Sequence, residues 1–140
     1  MNKFKKNSIM ITGASGFIGG SLMKSYRDEE QSVIGVDLKS NGDDTLEADL
    51  SNPEKLKEPM KHCDVIIHTA AMVSNAMSDG EMWKTNVLNT SKLIKLAIEC
   101  EIKRFVHISS IVVYGNSATG EINEDTPVNL SLIHISEPTR

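Results

Sequence analysis

Short apolar runs alternate along this chain with longer segments of helical period. The runs are rich in Val and Ile and bounded by glycine or polar residues, which is typical of buried strands, and the segments between them are long enough for helices. The alternation predicts an α/β fold, a parallel sheet with helices on both faces. The predicted strands are residues 8–12, 32–37, 45–48, 64–68 and 104–109.

Three helices are predicted between these strands. The first runs from Gly16 to about Tyr26, and the second is expected to follow Ser51 as its N-cap, with Pro53 in its first turn. The third covers about residues 80–100 and presents a broad apolar face. That face is predicted to contain Trp83, Val87, Leu88, Ile94, Leu96, Ala97 and Ile98.

The segment between the first strand and the first helix carries three glycines. Gly13, Gly16 and Gly19 follow the apolar run at residues 9–11. Glycine there lets the backbone turn tightly and approach a pyrophosphate, and the helix that follows aims its free N–H groups at the phosphates. Glycine-rich turns also occur for packing reasons alone, so the motif needs its context.

A carboxylate supplies that context. Asp37 ends the second strand, 24 residues beyond Gly13, where a dinucleotide-binding unit holds the adenosine ribose. A carboxylate accepts hydrogen bonds from the ribose hydroxyls but repels a 2′-phosphate. Leu38 and Lys39 follow it, and no arginine does, so NAD is predicted and NADP is less favoured. The alternative is that Asp37 simply ends a strand at a turn.

Composition narrows the class of function. The 140 residues are 39% hydrophobic and 24% charged, with a formal net charge of -4. The negative charge and the lack of a basic, aromatic-rich stripe argue against nucleic acid and favour a small-molecule partner. No apolar stretch approaches the ~20 residues of a membrane span, and the basic start is not a signal peptide, so a cytoplasmic location is expected. Cys63 and Cys100 lack metal-ligand spacing, and no metal site is predicted.

Further motifs resemble, in order and spacing, the NAD-dependent epimerase/dehydratase family, the extended branch of the short-chain dehydrogenases/reductases. The resemblance covers residues 9–129 and implies a Rossmann-type sheet with strand order 3-2-1-4-5, truncated after the fifth strand. Residues 1–129 are then an incomplete NAD(P)-binding domain. The motifs are the loop at residues 12–19, Asp37, Asp49-Leu50, His68-Thr69-Ala70-Ala71, Asn86 with Thr90, and residues 109–115.

The resemblance also implies which residues contact the cofactor. Asp49 stands where it can accept a hydrogen bond from the adenine amino group, although an acid there also serves as a cap. Asn86 is implied to brace the active-site loops, and His68 is interpreted as a structural histidine and not as a general base. The small residues after His68 leave room for a cofactor, although a compact loop needs them equally. The implied contacts are Gly13, Ser15, Gly16, Phe17, Ile18, Gly19, Asp37, Asp49, Leu50, Thr69, Ala70, Ala71, Asn86 and Ser109.

One catalytic residue is implied within the chain. Family members carry Ser or Thr four residues before the tyrosine of a V-Y-G signature, and Ser110 stands in that relation to Tyr114. Its hydroxyl is implied to orient the substrate. The family's general base is a different tyrosine, followed four residues later by lysine, and is expected near position 135. Because Tyr26 is the only other tyrosine and no lysine follows Lys103, the catalytic Tyr and Lys are expected to be absent and the chain inactive alone.

Residues 130–140 resemble the in-frame translation of a transposase adapter used in sequencing libraries. They are interpreted as a non-native tail on a truncated gene, the alternative being a native amphipathic tail. Coding DNA with synonymous codons unlike those of the adapter would exclude the first interpretation. Truncation also predicts an exposed edge on the fifth strand.

Three functions stay open. The leading one is the NAD-binding portion of an epimerase or dehydratase that moves a hydride at a carbinol carbon of a nucleotide sugar. The others are a steroid- or flavonol-type ketone reductase of the same superfamily and a non-catalytic NAD-sensing protein. The resemblance further implies that the parent is a homodimer, joined through the helix at residues 80–100.

Overall fold

Five parallel strands form the sheet that organises this chain. The computed structural model describes residues 7–40, 42, 44–72, 79–114 and 120–128. It divides the chain into two units, residues 1–108 and 109–140. The strands, all in the first unit, are β1 (Ser8–Thr12), β2 (Val33–Asp37), β3 (Thr45–Glu47), β4 (Cys63–His68) and β5 (Arg104–His107). Their order is β3-β2-β1-β4-β5, so the predicted fold class and strand order are confirmed.

Helical segments connect the strands. The first is α1 (Phe17–Asp28), and a 3₁₀ turn (Pro53–Leu56) leads into the short α2 (Lys57–Met60). After β4 come α3 (Asp79–Trp83), a π-helix (Lys84–Asn89) and α4 (Thr90–Glu99). Among the described residues, no helix is both long and apolar enough to cross a membrane.

The sheet is buried on both faces because successive strand residues point in opposite directions. Met10 and Ile66 pack on one face with residues of α2 and α4. Ile11 and Ile67 pack on the other face with Met23 of α1. Each of these side chains is almost fully buried, and each such burial contributes roughly 1.5–3 kcal/mol. The helices therefore hold the carboxyl edge of the sheet, and the loops that follow it, in fixed positions.

Some local predictions are wrong. Ser51 does not cap the second helix: Asn52 stands at the N-cap without a side-chain hydrogen bond, and the segment starts as a 3₁₀ turn. Ser51 instead donates its N–H to Asp49. The strand β5 ends at His107 and not at residue 109.

The long third helix is also not regular. Its middle is a π-helix, and each extra residue in a turn rotates the helix face by ~100°. Of the predicted apolar face, only Leu96 and Ala97 are buried, together with Leu93. The remaining members of that face are exposed by 39% or more: Trp83, Val87, Leu88, Ile94 and Ile98.

The second unit has little regular structure among its described residues. It contains a 3₁₀ helix (Ile111–Tyr114) and a turn between Asn123 and Thr126. In this turn the Thr126 N–H donates to the Asn123 carbonyl at 3.1 Å, and the Asn123 N–H donates to the Thr126 hydroxyl at 3.0 Å. The predicted tail at residues 130–140, and position 135 within it, lie outside the described residues. The domain boundary at residue 129 therefore stays a prediction.

Candidate dinucleotide site

The strand order reverses direction between β1 and β4. From β1 the chain moves outward to β2 and β3, then crosses back to place β4 on the other side of β1. In open α/β sheets, ligands bind at the carboxyl ends of the strands beside such a reversal. The loop after β1 with the first turn of α1, and the loop after β4, carry most of the residues predicted to contact a cofactor, and the structure brings the two loops into contact.

The glycine loop lies directly on the loop after β4. Gly13 has φ +71, and a Cβ there would stand 2.8 Å from the backbone N and Cα of Ala70. A Cβ on Gly19 would lie 2.1 Å from the carbonyl oxygen of Gly13. Gly16 donates its N–H to that same oxygen at 3.0 Å. These glycines are required for the turn itself, because any side chain at Gly13 or Gly19 would push the two loops apart.

Asp37 holds the other side of the glycine loop. Its Oδ2 accepts the N–H of Ser15 at 2.8 Å and its Oδ1 accepts the N–H of Leu38 at 2.7 Å. The Ser15 hydroxyl donates to the carbonyl of Lys39 at 3.3 Å. A carboxylate offers about four acceptor positions, so Asp37 retains capacity for further donors. The half-buried acid therefore fixes the loop and still presents oxygen atoms at the end of β2.

The N-terminus of α1 presents donors and apolar surface together. Gly16 occupies the N-cap, and no side chain caps the first turn, all of whose residues are described. The first N–H groups of a helix lack partners within it and attract anions. Phe17 is 93% exposed and Ile18 is 47% exposed on the same turn. This surface suits a ligand that carries both phosphates and an aromatic or apolar part.

Asp49 and Leu50 follow β3. Asp49 Oδ1 accepts the N–H of Ser51 at 2.7 Å, and this backbone hydrogen bond lowers the pKa of the carboxyl. Leu50 is half-buried against the core. The structure thus gives Asp49 the capping contact that the sequence left as an alternative, while the carboxylate stays exposed. Contact of either residue with an adenine stays a prediction.

The loop after β4 is tied down at both ends. The N–H and hydroxyl of Thr69 both donate to the carbonyl of Thr12, at 3.2 and 2.7 Å. At the far end, Asn86 of the π-helix accepts the N–H of Met72 at 2.7 Å and donates to its carbonyl at 2.9 Å. This paired contact ties the loop to the π-helix, and the implied role of Asn86 in bracing active-site loops stays a prediction. Between the two ties lie Ala70 and Ala71.

His68 is fully enclosed at the end of β4. Its exposed fraction is 1%, and its ring stacks on His107 with centroids 5.4 Å apart. Burial, and secondarily the nearby His107, lowers the pKa of His68 to about 4. The residue is therefore a neutral, hydrogen-bonded part of the core, as a structural histidine should be.

Ser109 and Ser110 belong to the second unit. Both are exposed, and the carbonyl of Ser110 accepts the N–H of Val113 at 3.1 Å at the start of the 3₁₀ helix. The predicted roles of these serines stay predictions. The described residues contain no group of three or more His, Cys, Asp or Glu side chains that could hold a metal ion.

Sequence reasoning missed Gly35 in the middle of β2. A Cβ there would lie 2.8 Å from the Cβ of Ala14 and 3.0 Å from the Cε of Met23. Gly35 thus lets the glycine loop and α1 settle close to the sheet. The signal was available, because glycine inside a β-branched strand often marks a close approach.

Comparison with known proteins decides the family. The model of the NAD dependent epimerase/dehydratase family matches residues 9–132, which is most of the chain. The chain belongs to this family. The predicted family is thereby confirmed, and the match reaches into the first residues of the predicted tail at 130–140.

Relatives within the family include both reductases and sugar-nucleotide epimerases. A 4-hydroxy-2-methyl-3-oxo-4-farnesyl-3,4-dihydroquinoline-1-oxide ketoreductase of Stigmatella aurantiaca is 32% identical over 74% of this chain and 33% of the relative. The UDP-glucose 4-epimerase of Vibrio cholerae is 33% identical over 77% of this chain and 36% of its own length. The chain thus spans about a third of these relatives.

Solved structures share the fold. The structure of MoeE5 in complex with UDP-glucose and NAD superposes with a TM-score of 0.80 at 28% identity, over 88% of this chain and 42% of MoeE5. Its agreement with the sheet described above places both chains in the same Rossmann-like architecture.

Proposed function

We propose that this chain binds NAD as the cofactor-binding portion of an epimerase or dehydratase that acts on a nucleotide sugar. The observation that carries the proposal is the glycine loop held between Ala70 and Asp37. That arrangement places the first N–H groups of α1, the Asp37 carboxylate and the exposed Phe17 side chain at one edge of the sheet. NAD is the bound cofactor in MoeE5.

The residues present fit a dinucleotide. The pyrophosphate would be held by the uncapped first turn of α1 after Gly16, and the adenosine ribose by Asp37. Asp49 would meet the adenine, and Phe17 and Ile18 would be covered by the cofactor. When bound, the nicotinamide accepts or returns a hydride. The chain itself supplies position: its loops are fixed by hydrogen bonds before any ligand arrives, which reduces the ordering cost of binding.

Substrate handling is proposed for Ser110, whose hydroxyl would orient a substrate hydroxyl or carbonyl for hydride transfer. The general base would come from a tyrosine that these 140 residues do not supply, because Tyr114 is followed four positions later by Ala118. The relatives are about three times as long as the matched segment, which supports a base and a substrate pocket outside it. The chain alone is then expected to bind cofactor without turnover.

The nucleotide-sugar assignment is supported by the Vibrio cholerae epimerase and by UDP-glucose in MoeE5. The second candidate is a ketone reductase, which the Stigmatella aurantiaca relative favours. Activity of the full-length parent on UDP-sugars, compared with cyclic and polycyclic ketones, separates the two.

Calorimetric titration of the 140-residue chain with NAD and NADP tests the cofactor proposal. NAD is expected to bind more tightly than NADP, and Asp37→Asn is expected to weaken NAD by about tenfold, the cost of exchanging charged for neutral hydrogen bonds. The same variant should bind NADP better, because it removes repulsion of the 2′-phosphate. Asp28→Asn, at the exposed far end of α1, makes the same change in net charge and should leave both affinities within about twofold of the original.

Failure of the original chain to bind NAD would overturn the proposed cofactor role. Equal effects of Asp37→Asn and Asp28→Asn would overturn the role of Asp37 alone. Hydride transfer by the 140-residue chain would contradict the missing base.

A further inference from the structure

A row of hydrogen bonds runs beneath the loop after β4. Thr90 Oγ1, at the start of α4, lies 2.9 Å from His68 Nε2. His68 Nδ1 lies 2.6 Å from Thr12 Oγ1, at the end of β1. Thr12 Oγ1 in turn accepts the N–H of Ala70 at 3.4 Å. We call Thr90, His68 and Thr12 the threonine–histidine relay.

Counting donors and acceptors fixes the direction of the relay. The Ala70 N–H can only donate, so it uses a lone pair of Thr12 Oγ1. The described contacts of that hydroxyl otherwise comprise only His68 Nδ1, so its hydrogen is satisfied only by donating to Nδ1. Nδ1 is then the acceptor of a neutral ring, and the Nε2–H donates to Thr90 Oγ1. If the ring were protonated on both nitrogens, the Nδ1–H and the hydrogen of the Thr12 hydroxyl would point at each other, and neither could accept.

The relay ends where the two cofactor loops touch. Ala70 is the residue whose N and Cα lie against Gly13. The other end, Thr90, follows directly after the π-helix that carries Asn86. Asn86 holds Met72, so the loop after β4 is connected at both of its ends to the same helical segment.

We infer that His68 is a positioning residue. With its proton on Nε2, the ring connects the Thr90 hydroxyl to the Thr12 hydroxyl, which accepts the Ala70 N–H. The position of Thr90 therefore determines the position of the Ala70 N–H and, with it, the spacing of the two loops. The inference rests on the proposed NAD-binding function for its consequence, but not for its geometry. A histidine that served only to fill the core would not require hydrogen bonds to Thr12 and Thr90. Here both ring nitrogens are engaged in a site that is 1% exposed, and each partner sits on a different element.

The geometry is tested first without any ligand. Nitrogen-15 NMR of the 140-residue chain should show His68 as the neutral Nε2–H tautomer. Amide exchange of Ala70 should speed up about three- to tenfold in Thr90→Val and return to the original rate in Thr90→Ser, which restores the hydroxyl. The Nδ1–H tautomer, or an Ala70 rate that Thr90→Val does not change, would overturn the inference.

Cofactor affinity separates positioning from mere stability. Thr90→Val should weaken NAD about three- to tenfold, with recovery in Thr90→Ser. Ile66→Val, in the buried core of the same strand β4, loses one methyl group without touching the relay and should leave NAD affinity within about twofold. An equal loss in Thr90→Val and Ile66→Val at matched stability would reduce His68 to a packing residue. Absence of NAD binding by the original chain would reject the proposed function, while the NMR results would still decide the relay.

Discussion

Two adjacent glycines at the start of α1 offer a sharp test of how the glycine loop is built. A Cβ on Gly19 would lie 2.1 Å from the carbonyl oxygen and 2.7 Å from the carbonyl carbon of Gly13. A Cβ on Gly20 would lie 3.5 Å from the carbonyl oxygen of Ala14, an ordinary contact. Gly19→Ala and Gly20→Ala therefore make the same chemical change in the same helix, with opposite expected results.

The magnitudes follow from two competing effects. Replacing glycine by alanine inside a helix ordinarily stabilises a protein by about 0.5–1 kcal/mol, so Gly20→Ala should raise the free energy of unfolding by that amount. In Gly19→Ala the backbone oxygen must move by about 1 Å, and overpacking of this kind costs about 1–3 kcal/mol. Both variants share the helix gain, so they should differ by the overpacking cost of about 1–3 kcal/mol, or roughly 3–12 °C in Tm for a domain of this size.

Thermal unfolding and NAD titration of both variants measure the difference. Gly20→Ala should bind NAD within about twofold of the original chain. Gly19→Ala should lose at least about 100-fold, because the displaced Gly13 carbonyl no longer orders the turn before the helix N–H groups. Equal Tm values and equal NAD affinities for the two variants would show that the close contact between Gly19 and Gly13 does not govern the loop.

Three further results are expected. The folded chain keeps His68 neutral down to about pH 4, whereas the unfolded chain protonates it near pH 6.5. The free energy of unfolding should therefore fall by about 3 kcal/mol as the pH drops through this window. In His68→Gln, the free energy of unfolding measured by urea denaturation should change much less between these two pH values. Asn86→Leu removes both hydrogen bonds to Met72 and should speed amide exchange at Met72 about tenfold; an unchanged rate would contradict the bracing contact. Burial raises the pKa of Cys63 to about 12, so a thiol reagent should label Cys63 at least about 100-fold more slowly than in urea, and rapid labelling of native Cys63 would show that the core opens.

Much of the fold can be predicted from local sequence patterns. The β-branched runs predict strands because each is buried on both faces, and the glycine spacing with Asp37 predicts a dinucleotide site beside the first two strands, whereas the strand order was implied by the family resemblance. The bounds of β1 and the carboxyl ends of β2 and β4 agree with the structure.

Features that depend on contacts between residues far apart in the chain could not be predicted from local sequence patterns. The π-helix arises where Asn86 reaches Met72, a contact that no periodicity in the sequence encodes. The burial of His68 depends on Thr12 and Thr90, which lie far from it in the chain. Asp49 looked equally suited to a cap and to adenine, and only the bond to Ser51 shows that the capping contact is made.

The contact between the two loops also bears on how the chain folds. Thr69 and Thr12 are joined across 57 residues, and Gly13 meets Ala70 at the same place. Closing so large a loop is entropically expensive, and parallel pairing of this kind forms slowly. A growing polypeptide whose β4 has not yet left the ribosome therefore contains all three glycines and Asp37, but it lacks the loop after β4 against which the glycine turn packs. Dinucleotide affinity should therefore be absent until residue 72 has emerged, and its appearance with increasing chain length can serve as a reporter of the β1–β4 pairing step.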